Sequence, residues 1–178
     1  MRAMPIKVRS GKRGFMQMKA SFHKNWIHYL QEAAGLAIFM ISACFFSALF
    51  WGKDASFHFE IHNEMHRNLI TGILMGVTAL FIFYSPFTAP SGSHINPAVT
   101  ITFLRLGKMD KWDAFFYILF QFIGGTLAVY LLGALLGNAL TSSPVNYAVT
   151  IPGKNGVASA AITEFIIAVI MITMVLFT

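Results

Sequence analysis

Charge is what this sequence has least of. Charged residues make up only 11% of its 178 positions, while apolar residues make up 56%. A water-soluble domain needs a charged surface, and this chain has too little charge to cover itself. The charges that exist are clustered and leave long neutral runs, for which lipid contact is the simplest reason. Cysteine is scarce as well. The single Cys44 lies inside an apolar run, so no intramolecular disulfide holds the fold, and the thiol reads as packing. The chain offers no catalytic nucleophile and no phosphate-binding loop, so no enzyme is expected. No cleavable signal peptide is expected either: the first apolar run is too long for a signal core and no clear small-residue cleavage site follows it.

The runs that are present fit membrane spans. Four are legible, at about 29–51, 68–84, 112–137 and 157–178. Each is near the ~20 residues that cross a hydrocarbon core as a helix. Ahead of them lies a basic segment, 1–28. Seven of the 13 Lys and Arg fall in the first 24 residues: Arg2, Lys7, Arg9, Lys12, Arg13, Lys19 and Lys24. The net charge of +6 does not point to nucleic acid, because no basic stripe with interleaved aromatics sits on a soluble domain. A basic segment before a span is a topology signal and predicts a cytoplasmic N-terminus.

Between the second and third spans the character changes. Ser85 to Ile95 is rich in Pro, Ser and Gly, which excludes a continuous helix. Pro97 to Leu106 then reads as a helix of about ten residues, ~15 Å long, or half a bilayer. Arg105, Lys108 and Lys111 follow. Orientation by Lys and Arg places these three inside with the N-terminal cluster and leaves Lys53, Arg67 and Lys154 outside. Residues 85–111 must then begin and end on the inner side. The segment 85–106 is therefore expected to dip into the membrane and return as a loop followed by a half helix.

Asn96-Pro97 marks the start of that half helix. Asn is a good N-cap and Pro is favoured at the first helical position, so an ordinary helix start is the plainest reading. At membrane depth, however, free N–H groups are expensive. If the Asn96 oxygen caps the helix, its NH₂ is left to donate to whatever fills the dip. The helix N-terminus adds partial positive charge. Such a spot suits the oxygen of a neutral polar molecule and repels cations.

The run Ser91-Gly92-Ser93-His94-Ile95-Asn96-Pro97-Ala98-Val99-Thr100 closely resembles the first Asn-Pro-Ala motif of the major intrinsic protein family, the aquaporins and glycerol facilitators. The resemblance extends to Glu32 in the first span and to Gln121-Phe122-Ile123-Gly124-Gly125 in the third. It covers the family's first half and its fourth helix. It implies an all-α, polytopic membrane helix bundle of aquaporin-like fold with one re-entrant half helix. It further implies a passive channel for water or a small neutral solute such as glycerol, assembled as a homotetramer in the plasma membrane, with no cofactor, no metal and no nucleic-acid partner. On this resemblance Gly92, Ser93, His94, Asn96, Pro97 and Ala98 line the pore. The carbonyls of Gly92, Ser93 and His94 accept hydrogen bonds, and Asn96 is the central donor.

Glu32 and Glu164 are ionisable groups in apolar runs, where a partner is expected. Either each braces a re-entrant loop by accepting backbone N–H bonds, with Gln121 in support, or it sits near the headgroups. His94 reads as a structural loop histidine in preference to a gate. The apolar runs after Glu32 and Glu164 echo one another in opposite orientation, as in an inverted repeat. Gly72 and Gly76, like Gly133 and Gly137, have the spacing of helix-packing pairs. His58, His62 and His66 would share a face if they were helical, which would permit a metal; a solvated loop is the preferred reading. Counting back from Asn96 puts Gly76 or Met75 at the filter position of the second span, and neither is aromatic. The family's second Asn-Pro-Ala and its last two helices do not occur in the sequence. That leads to the expectation of a truncated channel with nil or abnormal conductance of its own. The competing expectation is a non-conducting membrane protein acting through helix–helix contacts.

Overall fold

Inside lipid every backbone polar group must find a partner within the chain, and helices are the direct solution. The computed structural model describes residues 10–52, 55–152 and 156–177. These form six α-helices: α1 Ser10–Trp51, α2 Glu64–Tyr84, α3 Pro97–Arg105, α4 Lys111–Leu136, the short α5 Asn138–Thr141, and α6 Gly156–Phe177. Four of them, α1, α2, α4 and α6, are long and apolar enough to cross a membrane. Among the described residues there is no strand. Arg2, Lys7, Arg9, Lys53 and Lys154 lie outside the described residues, as does the side chain of Lys12.

The helices start earlier than hydropathy alone suggests, and each early start has a local cause. α1 begins at Ser10, far ahead of Tyr29, so part of the expected basic segment is helical and continuous with the first span. Met16, Gln17, Met18, Lys19 and Ala20 are strong helix formers, and no proline interrupts the run. α2 begins at Glu64 because Asn63 caps it, its side chain accepting from the N–H groups of Met65 and His66. Asp110 caps α4 in the same way through the Trp112 N–H. Caps of this kind act on the backbone, so a polar first turn can join a helix whose apolar run begins later.

α1 and α4 pack against each other along their length. The two backbones meet at Gly124, where an added Cβ would collide with the Ala33 carbonyl oxygen. The α4 backbone therefore rests directly on that of α1. At one end of the pair Tyr29 is fully buried, stacked on Phe116 at 5.1 Å and edge-on to Tyr117 at 5.8 Å. Beside it, three α1 side chains donate to one oxygen of Asp113 in the first turn of α4: Ser21 Oγ at 2.9 Å, Asn25 Nδ2 at 3.0 Å and Tyr29 Oη at 2.6 Å. Their spacing of four residues puts them on one face of α1.

The glycine pairs divide. Gly133 meets the Tyr147 ring, 3.0 Å from its added Cβ, whereas Gly72 and Gly76 face open space. Gly137 does not pack a helix. It ends α4 with φ 52° and ψ −130°, backbone that a side chain would strain. Residues 148–178 form a second compact unit, whose helix α6 is exposed along most of its length.

These environments predict opposite outcomes for one chemical change. Gly124→Ala should lower the unfolding midpoint in detergent, at a cost of about 1–3 kcal/mol from overpacking. Gly72→Ala should leave it unchanged or raise it, because the methyl meets nothing and Ala favours helix by up to ~1 kcal/mol. Thermal unfolding followed by circular dichroism checks both.

Candidate functional site

The segment after α2 turns at once. Thr88 Oγ1 donates to the Ile82 carbonyl, and Ser93 Oγ lies 3.4 Å from the same oxygen, so the end of α2 is partly satisfied by the loop. A single 3₁₀ turn, Ala89–Ser91, follows. Three residues then take left-handed backbone: Gly92 at φ 87°, Ser93 at φ 46° and Ile95 at φ 40°. Only the first is a glycine, so the other two carry about 1–2 kcal/mol of backbone cost each.

The compensation is Glu32. This α1 carboxylate is fully buried and accepts four hydrogen bonds, two on each oxygen. Oε1 takes the His94 N–H at 2.9 Å and the Ser91 hydroxyl at 2.7 Å. Oε2 takes the Ile95 N–H at 2.7 Å and Gln121 Nε2 at 2.8 Å. Ser91 Oγ is also 2.9 Å from the Thr88 carbonyl, but its one proton serves the charged acceptor better. Its lone pair accepts the Ser93 N–H at 3.2 Å. Among the described residues no cation pairs with Glu32, so neutral donors alone hold the charge. Gln121 also reaches Thr100 Oγ1 at 3.2 Å, while its own Oε1 is buried without a partner.

These bonds orient the backbone. The amides of Ser93, His94 and Ile95 all point toward Ser91 and Glu32. The peptides here are trans, so each carbonyl points opposite to the N–H of the same peptide. The carbonyls of Gly92, Ser93 and His94 therefore face away from the carboxylate. Among the described residues they accept no hydrogen bond from the protein. The row leads to Asn96, whose Oδ1 accepts the Ala98 N–H at 2.8 Å and caps α3. Its Nδ2 has no partner among the described residues, and the side chain is half-buried. Pro97 is the first residue of α3, half-buried, and Ala98 is exposed.

His94 is held on every side. Its ring stacks on Phe103 at 4.6 Å, lies 5.3 Å from Tyr117, and places Nδ1 3.1 Å from Thr100 Oγ1. Tyr117 Oη in turn donates to the Ser91 carbonyl at 2.7 Å. Ile95 turns inward, and an added Cβ on Gly35 would lie 2.6 Å from its Cγ2. Thus α1, α4 and the start of α3 all grip the loop.

Not every anticipated residue joins this constellation. Met75 is half-buried on α2, and Gly76 faces open space. Glu164 lies on α6 in the second unit and is exposed there. The three histidines do not share a helical face, because α2 begins only at Glu64: His58 and His62 precede it and His66 is in its first turn. His62 instead pairs with Glu60 at 3.4 Å on the surface. Conversely, Thr88, Tyr117 and the Asp113 cluster escaped sequence reasoning. A usable signal was the Ser21, Asn25, Tyr29 spacing opposite a carboxylate in the first turn of an apolar run.

A loop braced inside a pair of crossing helices, returning as a half-length helix among helices able to span lipid, defines a multi-pass helical membrane protein. The chain belongs to the major intrinsic protein family, whose model matches residues 19–178. It is 38% identical over 79 residues to Aquaporin NIP1-1 of Arabidopsis thaliana, covering 42% of this chain and 26% of that protein. It is 30% identical over 110 residues to an aquaporin of Encephalitozoon intestinalis, covering 60% of this chain and 41% of that protein. A further aquaporin, from Encephalitozoon hellem, is 34% identical over 91 residues, or 51% of this chain and 33% of the relative. The chain thus spans well under half the length of these curated relatives. No solved structure matches it.

Glu32→Ala should release the loop. Losing the acceptor of two buried amides and a buried Gln costs about 3–5 kcal/mol. Hydrogen exchange at His94 and Ile95 should accelerate by at least about 100-fold, since 1.4 kcal/mol is a factor of ten. Asp113→Ala should leave those two amides protected and speed exchange in residues 13–25 instead.

Proposed function

We propose that this chain forms part of a passive membrane channel for water or a small neutral solute such as glycerol. The observation that carries the reading is the row of unpartnered carbonyls at Gly92, Ser93 and His94, ending at the free Nδ2 of Asn96. A permeating hydroxyl or water needs both partners: acceptors for its protons and a donor for its oxygen. The α3 N-terminus adds partial positive charge where Asn96 donates, which disfavours cations. Glu32 and Gln121 act as the brace that keeps the carbonyls facing the path. Pro97 and Ala98 form the rim of the half helix. His94 contributes its carbonyl, while its ring serves packing.

The finer assignments rest on the same reading. The N-terminus faces the cytoplasm of a cell bounded by the plasma membrane, because Lys and Arg concentrate on that side. Met75 or Gly76 stands at the filter level of α2, and Glu164 braces a counterpart loop. The working assembly is a homotetramer. A second reading draws on the open faces of Gly72 and Gly76: a non-conducting membrane protein that works through helix association.

Two measurements separate these. Cys44 is fully buried, so an Ala98→Cys variant carries one reactive thiol. If the path is wet, a membrane-impermeant methanethiosulfonate should modify Cys at this position in vesicles within minutes. Stopped-flow swelling of vesicles carrying the whole channel of which this chain forms part should exceed that of protein-free vesicles for water, glycerol or both. Asn96→Asp should abolish the excess, because a fixed carboxylate replaces a donor and attracts cations. An unreactive thiol together with no excess swelling would favour the second reading.

A further inference from the structure

The end of the first unit where α1 meets the start of α4 carries more than a topology signal. The Asp113 cluster locks Ser21, Asn25 and Tyr29 against the first turn of α4. That fixes Lys19 and Lys24 of α1 at the same end as Lys108 and Lys111, with Arg105 at the close of α3. All five side chains are exposed. Among the described residues none of them is paired with a carboxylate, and the one ion pair is His62 with Glu60. The carboxylates at this end are otherwise engaged: Asp110 caps α4 and Asp113 takes its three donors from α1. The cations are thus left without internal compensation.

Aromatic side chains surround them. Trp26 is 47% exposed and Phe115 51% exposed, and the Lys111 ammonium lies 5.7 Å from the Trp112 ring. Trp beside Lys is the pattern of a side-chain belt at the headgroup level. Axial distances decide which cations can take part. Along α1, Lys24 lies ~8 Å beyond Tyr29, Lys19 ~15 Å and Arg13 ~24 Å, at 1.5 Å per residue. A headgroup layer is roughly 5–8 Å deep per leaflet, and charge reaches about a further 8 Å through saline. Lys24 and Lys19 fall within that reach, whereas Arg13 falls outside it.

We propose that Lys19, Lys24, Arg105, Lys108 and Lys111 form a binding surface for anionic phospholipid headgroups, seated by Trp26 and Trp112. The surface concentrates acidic lipid around the cytoplasmic end of α1 and α4. It does not depend on the channel reading, since its ligand is the bilayer and its residues lie outside the braced loop.

Quenching of tryptophan by brominated lipid tests it on the full chain. Trp51 is removed as Trp51→Phe, which leaves Trp26 and Trp112 as reporters. Vesicles contain brominated phosphatidylglycerol diluted in phosphatidylcholine, or the reverse labelling. Brominated phosphatidylglycerol should quench with an apparent preference of about fivefold, the equivalent of one basic side chain at an acidic surface. The preference should fall toward unity at about 1 M salt. It should also vanish in the K19Q/K24Q/R105Q/K108Q/K111Q variant, here the neutralised variant, and survive in R13Q. Equal quenching by the two lipids overturns the proposal, as does a preference indifferent to salt. So does a preference kept in the neutralised variant. Relief by inorganic phosphate at constant ionic strength would assign the cations to a free anion and overturn it equally. Should the neutralised variant fail to fold, the salt series on the parent protein decides.

Discussion

One buried carboxylate organises this molecule. Glu32 stands where three pieces of chain converge: its own helix, the loop before α3, and the middle of α4 through Gln121. Placing an ion in a dry interior is costly, and among the described residues no cation offsets it. Four neutral donors offset it instead, and two of them are backbone amides that would otherwise be buried orphans. The carboxylate and the loop therefore solve each other's problem. Remove the charge and the amides lack partners; unfold the loop and the charge does.

That mutual dependence explains the unusual backbone. Ser93 and Ile95 occupy left-handed conformations that favour glycine, yet neither position is glycine. Side chains are needed there. The Ile95 side chain fills the space opposite Gly35, and the Ser93 hydroxyl approaches the Ile82 carbonyl. The strain is held by packing on α1 and by bonds that turn successive amides to one side. With the amides committed inward, the carbonyls have only the other direction available.

Much of this was legible in the residues, and the division follows physical range. The four spans show in hydropathy because burial in lipid is a property of long runs. The half helix shows in Asn96-Pro97 because capping is local. Resemblance pointed to Glu32 and Gln121, but their bonding partners needed coordinates, since His94 and Ile95 are far from Glu32 along the chain. Helix starts at Ser10 and Glu64 lie ahead of the expected spans because apolar runs do not register polar first turns. The Asp113 cluster was missed because each of its donors is an ordinary polar residue taken alone. For the three histidines the preferred reading was a solvated loop, and His58 and His62 do precede α2, which Asn63 caps at Glu64.

α1 has a further mechanical meaning. It is one uninterrupted rod of 42 residues, about 63 Å long at the usual rise, or roughly twice the thickness of a hydrocarbon core. Glu32 sits near its middle, with ~33 Å of rod between it and Ser10. Ser21, Asn25 and Tyr29 tie that half to α4, so only the ~17 Å from Ser10 to Ser21 projects beyond the last of these ties. A sideways load on the projecting end would thus reach the Asp113 ties first, ~17 Å along the rod from Glu32 and the carbonyl row beside it.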